Sequence, residues 1–416
     1  MLRVIVKIQI EQQTPKGYAT KRDKKFVIDF AQNYEVVSSW KNMTDTAKIK
    51  LPKNMVIRDV SKRTFNLRDS NKPIGASLED IPAVFMRGDK ITIDHGYWGL
   101  NADGAEKRYM TGEDGIPNLF EGYITGIKTA DLFEMTCEDG MWKLKQTGVA
   151  NKVWKGITAK KMLEEMLAGT DYKLPAEKAN RKTVLEAAKS LKGDMGTYIT
   201  QNHNLGKVLE ELRSREHIEA YLRGNELRVG MPVYYEEEAR MHQFIFSGKH
   251  GNIISHNLEY KNEEDKVFSA VATTVKEMDG SANHRGKTKK KTQKAECLVT
   301  LQNRQFTVKT ISPGEVVPKA DGEVRVSLPY TSGTSEEQMI ASAKELLRQQ
   351  CYTGFEGHFT TFGMPFVRHG DNVQLIDPSM PERNGSYKVK AVTYKGGTSG
   401  LRQEIHLDKK LPEKTK

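Results

Sequence analysis

The sequence predicts an α+β protein that is mostly β, with two similar β-barrel domains and a small α/β domain between them. First, a Gly-Asp turn followed by a strand with alternating apolar residues occurs twice, at 87–93 and again at 369–375. Second, the stretch between these repeats changes to apolar residues at helical spacing. Third, the 416 residues include 37% hydrophobic residues and 34 glycines. That composition is enough to bury cores in two to four domains.

Residues 1–148 are predicted to form the first barrel. The first ten residues alternate apolar and polar side chains, which indicates a strand rather than a signal peptide. We therefore expect the protein to be made in the cytoplasm. Residues 98–118 are rich in Gly, Asn and Asp and lengthen the first repeat, so we expect them to be a loop insertion.

The turn of the first repeat contains Gly88 and Asp89, and the turn of the second contains Gly370 and Asp371. In both repeats a second strand follows, and a third short strand closes on an acidic residue. These four turn residues are the candidate site of the chain, as markers of a duplicated module. Duplicated modules let a ring of chains show twice as many units as chains, which favours a structural part over an enzyme. The later strands of the repeats are 120–127 and 134–139, and then 385–392 and 403–408.

Residues 149–235 are predicted to form the small α/β domain. Thr158 is a candidate helix cap, and Gly169 is a candidate helix stop. Further helices are expected at 183–191 and from about Asn204. A hairpin is expected around the two-residue turn at 224–225, because alternating strands flank a Gly-Asn pair.

Residues 236–416 are predicted to form the second barrel, which includes a helix at 335–350. The stretch 279–295 is expected to be a basic linker that does not fold alone, because it carries many lysines and no large apolar residue. The lysines at 287–294 suit a solvated linker, contact with an acidic protein surface, or contact with nucleic acid through charge alone.

The sequence offers no catalytic constellation, so we expect no enzymatic activity, no cofactor and no metal site. The glycines at 280 and 286 are separated by five residues where a phosphate-binding loop has four. The ten histidines form no HExxH pair. The three distant cysteines argue against a disulfide framework and against a cysteine metal site.

The formal net charge is +11, which leaves nucleic-acid binding as an alternative function. No apolar run approaches the ~18 residues that a membrane span requires, so no membrane span is expected.

Four segments of the chain resemble the baseplate hub proteins of contractile phage tails. This family includes the late-control D proteins and the N-terminal part of the VgrG proteins of type VI secretion. The order and spacing of the segments carry the resemblance across nearly the whole chain. The segments are 37–52, 119–139, 251–258 and 363–389.

The resemblance implies a virion component that is assembled in the host cytoplasm. Hubs of this family form homotrimers in which two tube-forming barrels per chain give a pseudo-sixfold ring. Such a ring joins the hexameric tail tube to a trimeric spike and contacts other baseplate proteins, and DNA is a candidate occupant of its central channel. VgrG chains often continue into a glycine-rich β-helix that this sequence lacks, so the spike is expected to be a separate polypeptide. The alternative within the same fold is a component of a type VI-like secretion system or another contractile injection system.

Overall fold

The fold is mostly β, as the sequence predicts: the computed structural model has twenty-five strands and three α-helices among its described residues. The described residues are 3–17, 21–61, 64–67, 84–100, 104–129, 131–175, 197–216, 219–230, 239–262, 266–282, 288–303, 305–312, 314–327, 331–332, 339–340, 343–344, 346–347 and 351–411. The predicted helix at 183–191 lies outside these residues. No helix in the described ranges is long and apolar enough to cross a bilayer.

The chain divides into two compact units. One unit comprises Met1–Leu258 and Gly357–Lys416, and the other comprises Glu259–Glu356. The first unit contains both repeats and the α/β region.

The first β-region consists of ten strands whose alternating side chains face a core. In the fourth strand, for example, Ala47, Ile49 and Leu51 are at most 3% exposed while the residues between them are more open. The strands are β1 (Arg3–Glu11), β2 (Lys25–Ile28), β3 (Asn33–Ser39), β4 (Thr46–Pro52), β5 (Val56–Asp59), β6 (Thr64–Asn66), β7 (Lys90–Leu100), β8 (Glu106–Met110), β9 (Phe120–Thr129) and β10 (Leu132–Asp139).

The α/β region follows the pattern that its sequence predicts. The Thr158 side chain accepts a hydrogen bond from the Lys161 amide and caps a helix, and Gly169 follows that helix with a φ of 83°. Leu205, Val208 and other apolar side chains of the region form one buried cluster. The elements are α1 (Met141–Leu144), β11 (Lys152–Lys155), α2 (Ala159–Leu167), β12 (Thr197–Thr200), α3 (Leu205–Glu216), β13 (Glu219–Arg223) and β14 (Glu226–Gly230), the last two joined by the predicted Gly-Asn turn.

The remaining strands complete the second β-region and build the second unit. They are β15 (Met241–Ile245), β16 (Ile253–Asn262), β17 (Phe268–Ala282), β18 (Thr288–Gln302), β19 (Gln305–Ile311), β20 (Val324–Ser327), β21 (Thr331–Ser332), β22 (Thr353–Phe362), β23 (Asn372–Ile376), β24 (Gly385–Gly397) and β25 (Arg402–Lys410).

One large sheet connects the two β-regions. Its strand order is β16-β22-β25-β24-β3-β4-β10-β9-β7-β1-β2-β5-β6. Three strands lie off this path: β23 pairs with β24, β15 pairs with β23, and β8 pairs with β7. Both regions use the same order of equivalent strands, since β3-β4-β10-β9-β7 corresponds to β16-β22-β25-β24-β23. In the first region β3 turns directly into β4, whereas the second unit is inserted between their counterparts β16 and β22.

The second unit has its own sheet and core. Strands β17, β18 and β19 pair antiparallel, and β20 and β21 run parallel to β17. Within the predicted helix at 335–350, the described residues are helical, and Met339, Ala343 and Leu347 are buried with the sheet residues.

The expectation that 279–295 is a basic linker is wrong for the described part of that stretch. Residues 279–282 belong to β17, and residues 288–295 belong to β18. The two strands pair antiparallel from Phe268 opposite Leu301 to Ala282 opposite Thr288. The backbone ladder needs no apolar side chain at its distal end, because the buried residues that anchor the hairpin lie at its base.

The predicted loop insertion 98–118 also contains strand. Strand β7 continues to Leu100 and pairs with β8, so that Tyr97 lies opposite Tyr109. The Asp94 carboxylate holds the end of this hairpin by accepting hydrogen bonds from the Thr111 hydroxyl and the Asn118 side-chain amide. The Gly, Asn and Asp content of the segment concealed this short run of cross-strand pairs.

Candidate functional site

The first repeated turn contains Gly88 and Asp89 and fixes the entry into β7. Gly88 has a φ of 96°, a conformation in which glycine avoids the steric cost of a Cβ. The Gly88 amide donates to the Ile124 carbonyl at 2.8 Å, and the Ile124 amide donates to the Asp89 carbonyl at 2.9 Å. The Asp89 carboxylate also accepts from the Met86 amide at 2.8 Å. The turn therefore fixes β7 against β9.

The second repeated turn contains Gly370 and Asp371 and makes the same set of bonds. Gly370 has a φ of 85°. Its amide donates to the Val389 carbonyl at 2.9 Å, and the Val389 amide donates to the Asp371 carbonyl at 2.9 Å. The Asp371 carboxylate accepts from the Arg368 amide at 2.8 Å. The two turns are thus matched atom by atom, and Ile124 corresponds to Val389.

A β-bulge lies at the equivalent position of both regions, beside the residue whose backbone bonds to the turn. In the first region the register between β9 and β10 shifts at Thr136 and Cys137, and in the second the register between β24 and β25 shifts between Val389 and Ala391. Because a bulge is a specific irregularity, its recurrence at one equivalent position indicates duplication of a whole module. The pairs around the bulges are Ile124 with Cys137 and Gly126 with Thr136, matched by Val389 with Leu407 and Ala391 with His406.

Replacing Gly88 by alanine is expected to destabilise the protein by about 1–2 kcal/mol, because an L-residue pays that cost in a left-handed conformation. The nearest heavy atom to the added Cβ would be in Trp142 at 3.6 Å, so no clash adds to this cost. Urea unfolding measures the change. Gly148→Ala is the matched control, because nothing lies within 4 Å of its added Cβ and its φ is not positive. Equal stability of the two variants would contradict the strain argument.

The two aspartates differ in the partner that balances their charge. Asp89 forms a buried ion pair with Arg22, whose Nη1 lies 2.7 Å from Asp89 Oδ1. Asp371 instead lies beside His242, with 3.2 Å between Nε2 and Oδ2. Burial opposes ionisation of Asp371, but the hydrogen bonds from His242 and the Arg368 amide hold its pKa below the usual value. The Asp371 carboxylate is therefore ionised at neutral pH.

The two β-regions are joined inside the chain by β24 and β3. These strands pair antiparallel over seven positions, from Ala391 opposite Ser39 to Gly397 opposite Asn33. Residues 385–388, at the beginning of β24, pair with β23 along the edge that later pairs with β3. Strand β24 therefore pairs along one edge with two strands, first with β23 of its own β-region and then with β3 of the other β-region.

A polar contact buries the turn of the second region against β3 of the first. The Ser38 hydroxyl donates to Asp45 Oδ2 at 2.6 Å and lies 2.8 Å from His369 Nδ1. Burial lowers the pKa of His369 well below its usual value, and the nearby Arg223 adds to this effect. The imidazole is therefore neutral, and it donates from Nδ1 because the only Ser38 proton is used by Asp45. Burial also raises the pKa of Asp45 to about 6.

The counterparts of the two joined strands have no such partner among the described residues. Strand β9 corresponds to β24, and its residues after Ile124 pair with β10 on one edge but with no described strand on the other. Strand β16 corresponds to β3, and it lies at the end of the sheet beside β22. The burial differs accordingly: Val392 is 0% exposed while its counterpart Ile127 is half-buried, and Ile254 of β16 is 45% exposed.

Comparisons with known proteins are consistent with this architecture. No protein-family model matches the chain, and no curated protein matches it. A solved structure of a 43 kDa tail protein of prophage MuSo2 from Shewanella oneidensis is similar, with a TM-score of 0.53 and 9% identity over 97% of this chain and 98% of that chain. A tail protein from Neisseria meningitidis MC58 gives a TM-score of 0.52 and 11% identity over 98% and 96%. The chain shares the fold of these tail proteins.

A third similar structure is the E. coli c3393 protein, a component of the type VI secretion system. It is 9% identical over 99% of this chain and 77% of that chain, with a TM-score of 0.43.

The structure places the four predicted turn residues at equivalent points of the two repeats, and each turn has its own partners. Sequence reasoning missed Arg22, which lies far from Asp89 in the sequence and carries no motif. It also missed the edges of β9 and β16 that have no partner among the described strands, because a strand at the end of a sheet has the same apolar alternation as a strand inside it.

Proposed function

We propose that this chain is a structural hub of a phage or phage-like contractile tail. Three copies form a ring that joins the hexameric tail tube to a separate trimeric spike around a central channel. The observation that supports this proposal is the joint between β24 and β3, together with the unpaired equivalents of both strands.

The pairing of β24 with β3 inside the chain suggests how neighbouring chains would pair. Within one chain, the second barrel presents the edge of β24, and the first barrel presents the edge of β3. By the same geometry, the first barrel presents β9, and the second barrel presents β16 to another chain. Such a head-to-tail contact uses two different surfaces, and it generates a closed ring when the rotation closes. With two barrels per chain, three chains give six barrels in similar positions.

Pairing of β9 with β16 also removes exposed sheet edges. An unpaired edge offers free backbone N–H and C=O groups to other chains and invites aggregation. In the proposed ring every barrel edge of this kind is covered by a neighbouring barrel, either of the same chain or of the next one.

The proposed role is structural rather than catalytic. The duplicated turns hold strands in place. Both carboxylates accept hydrogen bonds from backbone amides, and Asp89 also forms an ion pair with the buried Arg22 side chain. The proposed partners are the tube, the spike and other baseplate proteins in the virion, with DNA as a candidate occupant of the channel. The two tail proteins of the same fold support this setting.

Negative-stain electron microscopy of the purified chain tests the proposal. At high protein concentration, two-dimensional class averages are expected to show rings with an open centre and threefold or sixfold symmetry. Single compact particles at every concentration, with or without a tube protein, would contradict ring formation by this chain.

A further inference from the structure

A cluster of two histidines and one glutamate lies on the second β-region, beside the part of β24 that pairs with β3. It comprises His358 on β22 with Glu404 and His406 on β25. Their nitrogen and carboxylate-oxygen atoms all lie within 4.8 Å of one another. All three side chains are half-buried, so the cluster is open to solvent on one side.

The pairing of the strands fixes this arrangement. His358 lies directly opposite His406 across the β22–β25 ladder, and the two ring centroids are 4.9 Å apart. Glu404 lies two residues before His406 and therefore points to the same face of β25. The alternate residues Phe359 and Ile405 are fully buried in the core below. The backbone thus presents three ligand groups on one rigid face.

The chemistry of this trio suits a transition metal ion. Two imidazoles and one carboxylate are a ligand set of catalytic zinc sites, in which water takes the fourth position. Zinc–nitrogen and zinc–oxygen bonds of about 2.0–2.2 Å need neighbouring ligand atoms about 3.3 Å apart. His406 Nε2 already lies 3.0 Å from Glu404 Oε1. Small side-chain rotations would bring the His358 nitrogen to the same centre.

The surroundings leave one carboxylate oxygen for a metal ion. Lys395 Nζ lies 3.5 Å from Glu404 Oε2, on the oxygen that does not contact His406. The competing explanation is that His406 and Glu404 form an ordinary ion pair without a metal ion. That explanation accounts for His406 and Glu404 but assigns no part to the second imidazole, which lies beside them.

We propose that His358, Glu404 and His406 bind one zinc ion per chain, with water completing the coordination. The ion would cross-link β22 and β25 on the face opposite the barrel core. Sequence inspection does not reveal this site, because the ligands are on two strands that are distant in the sequence and show no zinc-binding spacing.

Isothermal titration of metal-free, polyhistidine-free protein with zinc chloride tests the proposal. We expect one zinc ion per chain and a rise in the melting temperature when zinc is added. His406→Ala and His358→Ala are each expected to weaken binding by more than about 100-fold, since even removal of a partner that only orients a ligand costs 10–100-fold. Glu404→Gln preserves the shape of the side chain and is expected to weaken binding in the same direction.

His203→Ala is the matched control. His203 Nε2 lies 3.1 Å from Glu211 Oε1, so this pair resembles His406 and Glu404, but no third histidine, cysteine or carboxylate among the described residues lies beside it. This variant should bind zinc as the parent does. Binding of less than one tenth of an equivalent by the parent would overturn the proposal, and so would equal binding by the parent and His358→Ala. Circular dichroism without zinc confirms that each variant is folded.

Discussion

Replacing Arg22 by methionine is expected to lower the free energy of unfolding by about 3–5 kcal/mol, the usual cost of removing one partner of a buried ion pair. The side chains of Arg22 and Asp89 are 2% and 0% exposed. Two guanidinium nitrogens contact the two Asp89 oxygens, at 2.7 and 2.9 Å. Methionine fills much of the same space but leaves the carboxylate charge without a counterion. Urea unfolding at neutral pH measures the change.

Two further variants separate charge from packing. Lys25→Met breaks an exposed ion pair with Glu11 and is expected to cost under about 1 kcal/mol. The double variant Arg22→Met with Asp89→Asn should be more stable than Arg22→Met alone, because it removes the uncompensated charge. If Arg22→Met is no more destabilised than Lys25→Met, the buried pair has no special role in the first turn.

Introducing lysines at the edge of β16 is expected to abolish ring formation without unfolding the chain. Ile254 and Asn257 are exposed on this strand. Lysines on an edge strand oppose pairing with another strand because they would have to lose hydration. The double variant Ile254→Lys with Asn257→Lys should therefore elute as a single chain of 47.0 kDa in size-exclusion chromatography with light scattering.

The control carries the same added charge elsewhere. Val60 and Val316 are 64% and 87% exposed and lie outside both proposed edges. The double variant Val60→Lys with Val316→Lys is expected to form rings like those expected of the parent chain. If this control also failed to form rings, the added net charge rather than the β16 edge would be the cause. Rings in the β16 variant that match those of the parent would show that this edge does not join the chains.

The sequence predicts the parts of this fold that depend on local patterns. The Gly-Asp turns, the Thr158 cap and the Gly-Asn hairpin all use short-range rules of backbone conformation, and the structure has each of them. Alternating apolar residues likewise predict a protein that is mostly β.

The rest depends on contacts between distant residues. The lysine-rich stretch 279–295 looks unstructured by composition, but a long hairpin is stabilised by its base and its backbone ladder. The pairing of β3 with β24 joins residues about 350 positions apart, a relation that no local pattern encodes. The ligand trio on β22 and β25 is hidden for the same reason.

In the proposed ring, the insertion of a whole unit between β16 and β22 would distinguish the two barrels of each chain. Two identical barrels would offer a threefold partner two equivalent docking orientations. The corresponding strands β3 and β4 are instead joined by a short turn, so the first β-region lacks the extra unit. Only every second barrel of such a ring would carry the unit, which would give a threefold partner a single docking orientation relative to the chains.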